Sequence, residues 1–116
     1  MPINSKRKGV LGEREFARLC RDEGFDNSKR GQQFHGGDDS PDVIGLPSIH
    51  VEVKRREDVS LIASMAQASR EKGERELPIV AHRKNRQRWM ITMYADDWFK
   101  IYREALAANP EDGLPF

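Results

Sequence analysis

From residue 49 onward the chain alternates apolar with polar side chains, Ile49, Val51 and Val53 against His50, Glu52 and Lys54. The two-residue repeat of a strand puts each set on its own face, so the pattern predicts a strand over 49–55. Elsewhere the period is helical. Phe16, Leu19 and Cys20 share one stripe and predict a helix over 11–23, started at Gly9 or Gly12 and ended by Gly24. A strand near 28–34, a loop carrying Gly36-Gly37-Asp38-Asp39 and a short strand over 42–46 are expected next. Beyond the alternating strand, Leu61, Ile62, Met65, Ala66 and Ala68 predict an amphipathic helix over 59–72, closed by Lys72-Gly73. Residues 78–82 and 89–94 read as two further strands, and Asp96-Asp97 begins a last helix carrying Trp98, Phe99, Ile101, Tyr102 and Leu106. A helix between strands 49–55 and 78–82 implies that those two run parallel.

These elements make an α/β chain. With 116 residues there is room for one domain, expected over 9–108, behind a mobile basic arm at 1–8 and ahead of a frayed tail at 109–116. The chain is 37% hydrophobic and 34% charged, which suits a soluble globule and excludes a disordered chain lacking aliphatic strands. No apolar run approaches the ~20 residues of a membrane span, and the start lacks the apolar core of a signal peptide, so a cytoplasmic location, or a host cytoplasm, is expected. Cys20 is the only cysteine, which rules out an intrachain disulfide and a cysteine metal cluster; on the helical stripe it reads as a buried structural thiol.

The net charge of +1 conceals an uneven distribution. Residues 31–53 carry four acids and no Lys or Arg, whereas residues 54–88 carry ten cations against five acids. Residues 1–30 are also net basic. Acid flanked by base is the pattern of a metal-binding groove with phosphate-holding walls.

Candidate chemistry concentrates in the acidic segment. Asp42 follows Pro41 and precedes Val43-Ile44, where a strand turning back would set it against Glu52. Two converging carboxylates are hard oxygen ligands of the kind that hold Mg²⁺ together with water and phosphate oxygens. Lys54, on the face of Glu52, is placed to position or help activate an attacking water, whose pKa such a metal lowers. Glu-x-Lys alone is a common charge pair on a solvated strand; the preceding Pro-Asp and the Glu-bearing helix give it weight. Glu13 is expected in the first helical turn, where the helix dipole favours a carboxylate. Gln67 lies off the apolar stripe, facing either solvent or the site. His50 reads as an edge-strand histidine, and neither His35 nor His82 has zinc-like spacing to other ligands. Arg83, Lys84, Arg86 and Arg88 form either a solvated turn or a tip that tracks a phosphate backbone. Trp89, Trp98 and Phe99 read as core or subunit contacts.

Four segments together, Gly12-Glu13-Arg14-Glu15-Phe16, Pro41-Asp42-Val43-Ile44, Val51-Glu52-Val53-Lys54 and Gln67, carry a resemblance. Over roughly residues 8–95 the chain resembles the PD-(D/E)xK nuclease superfamily, most closely the archaeal-type Holliday-junction resolvases and their bacteriophage relatives. The resemblance implies a restriction-endonuclease-like mixed central sheet flanked by helices. It implies Glu13, Asp42, Glu52, Lys54 and Gln67 as catalytic positions, with Mg²⁺, or Mn²⁺ in its place, held at Asp42, Glu52 and Val53. Ser40 matches the small polar residue often found ahead of the aspartate. DNA contacts are expected from Lys6, Arg7, Lys8, Arg14, Arg30, Ser40, Arg55, Arg56, Arg83, Lys84, Arg86 and Arg88. The implied activity is structure-selective cutting of branched DNA by a homodimer, foremost paired cleavage of four-way junctions. A nuclease for other branched, nicked or duplex DNA and a non-catalytic DNA-binding module on a nuclease fold are the alternatives.

Overall fold

The computed structural model describes residues 5–31 and 40–116, with side chains from Arg7 onward in the first stretch. The expected Gly-Gly-Asp-Asp loop, the end of the strand expected over 28–34, and His35 lie outside the described residues, as do residues 1–4 of the expected arm. The elements run α1 (Ser5–Asp22), β1 (Lys29–Arg30), β2 (Val43–Ile44), β3 (Ile49–Arg55), α2 (Leu61–Glu71), β4 (Leu77–Arg83), β5 (Met90–Thr92) and α3 (Ala95–Ala108). The five strands form one sheet in the order β1-β2-β3-β4-β5. Neighbours pair antiparallel except β3 and β4, which run parallel with Ile49 opposite Leu77 and Arg55 opposite Arg83. This mixed sheet flanked by helices is the α/β architecture expected from the sequence, and it is consistent with a restriction-endonuclease-like fold.

The two sides of β3 are covered by different helices. Phe16, Ala17 and Cys20 of α1 pack on Val43, Val51, Val53, Ile79 and Ala81, with the Trp89 ring 5.1 Å from that of Phe16. Cys20 is buried and free, as the stripe predicts, and burial raises its thiol pKa. The opposite side receives α2, which buries Met65 and Ala68. Ser60 caps α2 by accepting a hydrogen bond from the Ala63 amide, the usual use of a serine ahead of a helix.

Several boundaries differ from expectation for local reasons. Helix α1 begins at Ser5, so Arg7 and Lys8 are helical residues and not part of a mobile arm. Lys6-Arg7-Lys8 is a run of good helix formers. Gly9 and Gly12 do not start the helix; Gly12 sits inside it, where an added Cβ would lie 2.4 Å from the Arg55 Cβ, so glycine lets α1 approach β3 closely. Gly24 ends the helix as expected, at φ +102°, with the Phe25 amide donating to the Cys20 carbonyl at 3.0 Å. His50 is not on an edge. It lies on a strand flanked by β2 and β4 and is 1% exposed. Helix α3 leaves Trp98, Phe99 and Ile101 exposed rather than in the core, with Trp98 stacked on Tyr102 at 5.0 Å. Among the described residues no helix is long and apolar enough to cross a membrane.

Candidate active site

The hairpin geometry of β2 and β3 brings Asp42 to Glu52. Val43 pairs with Val51, and the Asp42 amide donates to the Val51 carbonyl at 2.8 Å. The Asp42 side chain then turns onto β3, its Oδ2 accepting from the Val53 amide at 2.8 Å. Asp42 is 7% exposed and Glu52 3%, so two carboxyl groups are buried side by side. Burial pushes the Glu52 pKa up to about 8; the charge of Asp42 and a hydrogen bond shared with it act in the same direction, and Lys54 opposes them. Acids this close resist ionising together without a compensating cation.

Glu13 completes the acidic set from α1. It lies in the third turn of a helix that starts at Ser5, so the helix N-terminus does not set its ionisation. Burial raises its pKa, and the hydrogen bond from Arg30 opposes that rise. Arg30 Nε donates to Glu13 Oε2 at 2.7 Å. Glu13, Asp42, Glu52, Val53 and Lys54 line one cleft of about 360 Å³, with Lys8, Arg55 and Arg56 also on its wall. Gln67 reaches the same group from α2, its Nε2 donating to Glu52 Oε1 at 3.2 Å and to Glu71 Oε1 at 3.2 Å. The structure therefore brings together all five side chains named as catalytic from the sequence. Buried hard oxygen donors carrying a raised pKa are a donor set that fits a small divalent cation such as Mg²⁺ or Mn²⁺.

The cations divide into two groups. Arg30 is tied to Glu13, and Arg55 and Arg83 converge on Glu15, which lies 3.6 Å from Arg55 Nε and directly against Arg83 Nη1. The Trp89 indole also donates to Glu15 Oε1, at 3.1 Å. Glu15 thus ties α1 to β3, β4 and the turn before β5, a role the sequence reading did not assign. Arg14, Arg56, Lys84, Arg86 and Arg88 are exposed, and Ser40 is half-buried just ahead of Pro41-Asp42. A broader cleft of about 820 Å³ is lined by Arg56, Arg83, Lys84 and Arg88 among others. Arg56 lines both clefts, so the basic one adjoins the acidic one.

The sequence reading also missed Glu71. Its signal was available, because Gln67 and Glu71 are four residues apart on one helical face. His82 donates to or accepts from Thr92 Oγ1 at 2.8 Å, and burial lowers its pKa. Compared with known proteins, the chain matches no family model, no curated protein and no solved structure.

Proposed function

We propose that the chain is a divalent-metal-dependent endonuclease for branched DNA, with the four-way junction as its substrate. The observation that carries this reading is the convergence of Glu13, Asp42, Glu52 and Lys54, from α1, the start of β2 and β3, in one cleft. Carboxylates buried side by side favour a bound cation, and a phosphodiester needs its charge neutralised; a single site supplying oxygen ligands and an ammonium serves both. A bound Mg²⁺ would lower the pKa of the attacking water and offset phosphate charge. Asp42 is held in place by the Val53 amide and Glu52 by Gln67. Lys54 orients the attacking water or neutralises charge gathering on the phosphate. Water adds to phosphorus, one P–O bond breaks, and the leaving oxygen takes a proton.

The adjoining basic cleft suits the DNA arms. Arg56, Lys84 and Arg88 meet phosphates and so read backbone and shape rather than base edges, which fits selectivity for structure over sequence. Paired cuts across a junction need two sites, hence a homodimer, for which the exposed Trp98, Phe99 and Ile101 of α3 are the natural contact surface. The test is cleavage of a mobile four-way junction, a fork and matched duplex with Mg²⁺ and with EDTA. Metal-dependent paired nicks in the junction are expected. Equal cutting of plain duplex would move the substrate to duplex DNA, and no cutting of any substrate would leave a non-catalytic DNA-binding module.

A further inference from the structure

On the α2 side of Glu52 lies a second cluster that the proposed hydrolysis uses only through Glu52 itself. His50 projects from β3 two residues before Glu52, on the same face, and it is fully buried at 1% exposure. Among the described residues neither of its ring nitrogens has a hydrogen-bond partner, and neither does Glu52 Oε2. Instead, Nε2 stands 4.0 Å from Glu52 Oε2 and 3.9 Å from Glu71 Oε2. These separations are too long for hydrogen bonds. A buried imidazole with neither nitrogen bonded, aimed at a carboxylate oxygen in the same condition, is costly and is the arrangement expected of groups that share a cation.

We infer that His50, Glu52 and Glu71 form a binding site for a divalent transition-metal ion, adjoining the site at Asp42 and sharing Glu52 with it. Their ligand atoms all lie within 4.8 Å of one another. With two edges of 4.0 and 3.9 Å and a third no longer than 4.8 Å, a point equidistant from all three is at most about 2.5 Å from each, within a few tenths of an ångström of the ~2.0–2.2 Å of zinc to nitrogen and oxygen donors. Small side-chain movements close that gap. The orientation is already set: Gln67 holds the Oε1 atoms of Glu52 and Glu71 through one amide, leaving both Oε2 atoms turned to His50. The other imidazole nitrogen, Nδ1, faces Glu76 Oε1 at 3.8 Å, and a carboxylate behind a histidine is the usual way a metal-ligating imidazole is oriented. One nitrogen with two carboxylates selects zinc- or manganese-like ions over Mg²⁺, which prefers oxygen alone. An ion here ties β3 to α2 and fixes the orientation of Glu52, which also lines the cleft with Asp42.

The site has Glu52 in common with the proposed hydrolytic centre, but its test needs no DNA. The measurement is calorimetric titration of the purified chain with ZnCl₂ in excess Mg²⁺, paired with thermal denaturation. Wild type is expected to bind one Zn²⁺ per chain and to gain thermal stability from it. His50→Gln and Glu71→Gln should each weaken binding at least tenfold, while Asp42→Asn, which removes a charge that opposes ionisation of Glu52, does not weaken it. Should His50→Gln fail to fold, Glu71→Gln decides alone, since Glu71 is only half-buried and its variant keeps the amide-bonding shape. Absence of Zn²⁺ binding in wild type, or undiminished binding by Glu71→Gln, overturns the inference. So does loss of Zn²⁺ in Asp42→Asn but not in Glu71→Gln, because the ion would then belong to the Asp42–Glu52 pair.

Discussion

The two faces of β3 are equally buried and built on opposite principles. Toward α1, Val51 and Val53 meet Phe16, Ala17 and Cys20 in a dry apolar cluster. Toward α2, His50 and Glu52 are buried among polar partners, with both His50 nitrogens and one Glu52 oxygen unbonded among the described residues. The first face is where folding free energy comes from, since each buried methylene contributes ~0.8 kcal/mol. The second opposes folding, because buried charge is costly unless paired. One seven-residue strand therefore joins a stabilising face to a chemically poised one, and the period of two keeps them from mixing.

The strongest way to break that contrast is to open the apolar face. Phe16→Ala should lower unfolding free energy by about 3–5 kcal/mol, read from denaturant midpoints. The cleavage rate of the fraction still folded should not change; a parallel fall in that rate would show that the faces are not separable.

The polar face should respond in the opposite sense. Glu52→Gln, measured without metal at high pH, should stabilise the fold, on the order of 1–3 kcal/mol, by removing a buried charge crowded against Asp42. Its pKa rises from an ordinary 4.5 to about 8 on folding, so the folded chain retains a proton that the unfolded chain releases. The stability this contributes is complete below pH 4.5 and is lost as pH climbs to about 8. Wild type in EDTA should thus lose stability across that window, and Glu52→Gln should lose less. Identical pH profiles would show that Glu52 is not the strained group.

Lys54 sharpens the comparison within the polar face. Lys54→Ala should slow single-turnover junction cleavage at least tenfold, about 1.4 kcal/mol, with little change in affinity. A fall in affinity that matches the fall in rate would make it a phosphate contact only.

The smallest effect concerns the rim. Changing Lys84, Arg86 and Arg88 together to Ala should reduce the slope of log affinity against log salt by roughly 0.9 per lost duplex phosphate contact. Arg83 is left in place because it is committed to Glu15. An unchanged slope would make the turn a solvated one and move the DNA path toward Arg14 and Arg56.

Much of this architecture was legible because it is local. Alternation over 49–55 gave β3 its bounds, and the helix between two strands gave the parallel pairing of β3 with β4. Asp42 and Glu52 were legible as a pair because a short hairpin joins them. What escaped depends on distant segments meeting. Glu15 gathers Arg55, Arg83 and Trp89 from across the chain, and no spacing announces that. His50 looked like an edge residue because its neighbours β2 and β4 and the acids Glu71 and Glu76 are assembled only by the fold. Helix α1 begins ahead of the expected entry at Gly9 or Gly12, because Gly12 lies within it and serves a close approach to Arg55 that no local signal announces.

The most direct measurement is the single-turnover cleavage rate of a four-way junction in Mg²⁺ for wild type and Asp42→Asn, with junction affinity measured alongside. Asn preserves the shape and removes the charge beside Glu52. Loss of at least a hundredfold in rate, about 2.7 kcal/mol, with affinity equal or tighter through reduced repulsion of phosphate, is the result expected if the buried acid pair performs the hydrolysis. Cleavage by Asp42→Asn at the wild-type rate would contradict it.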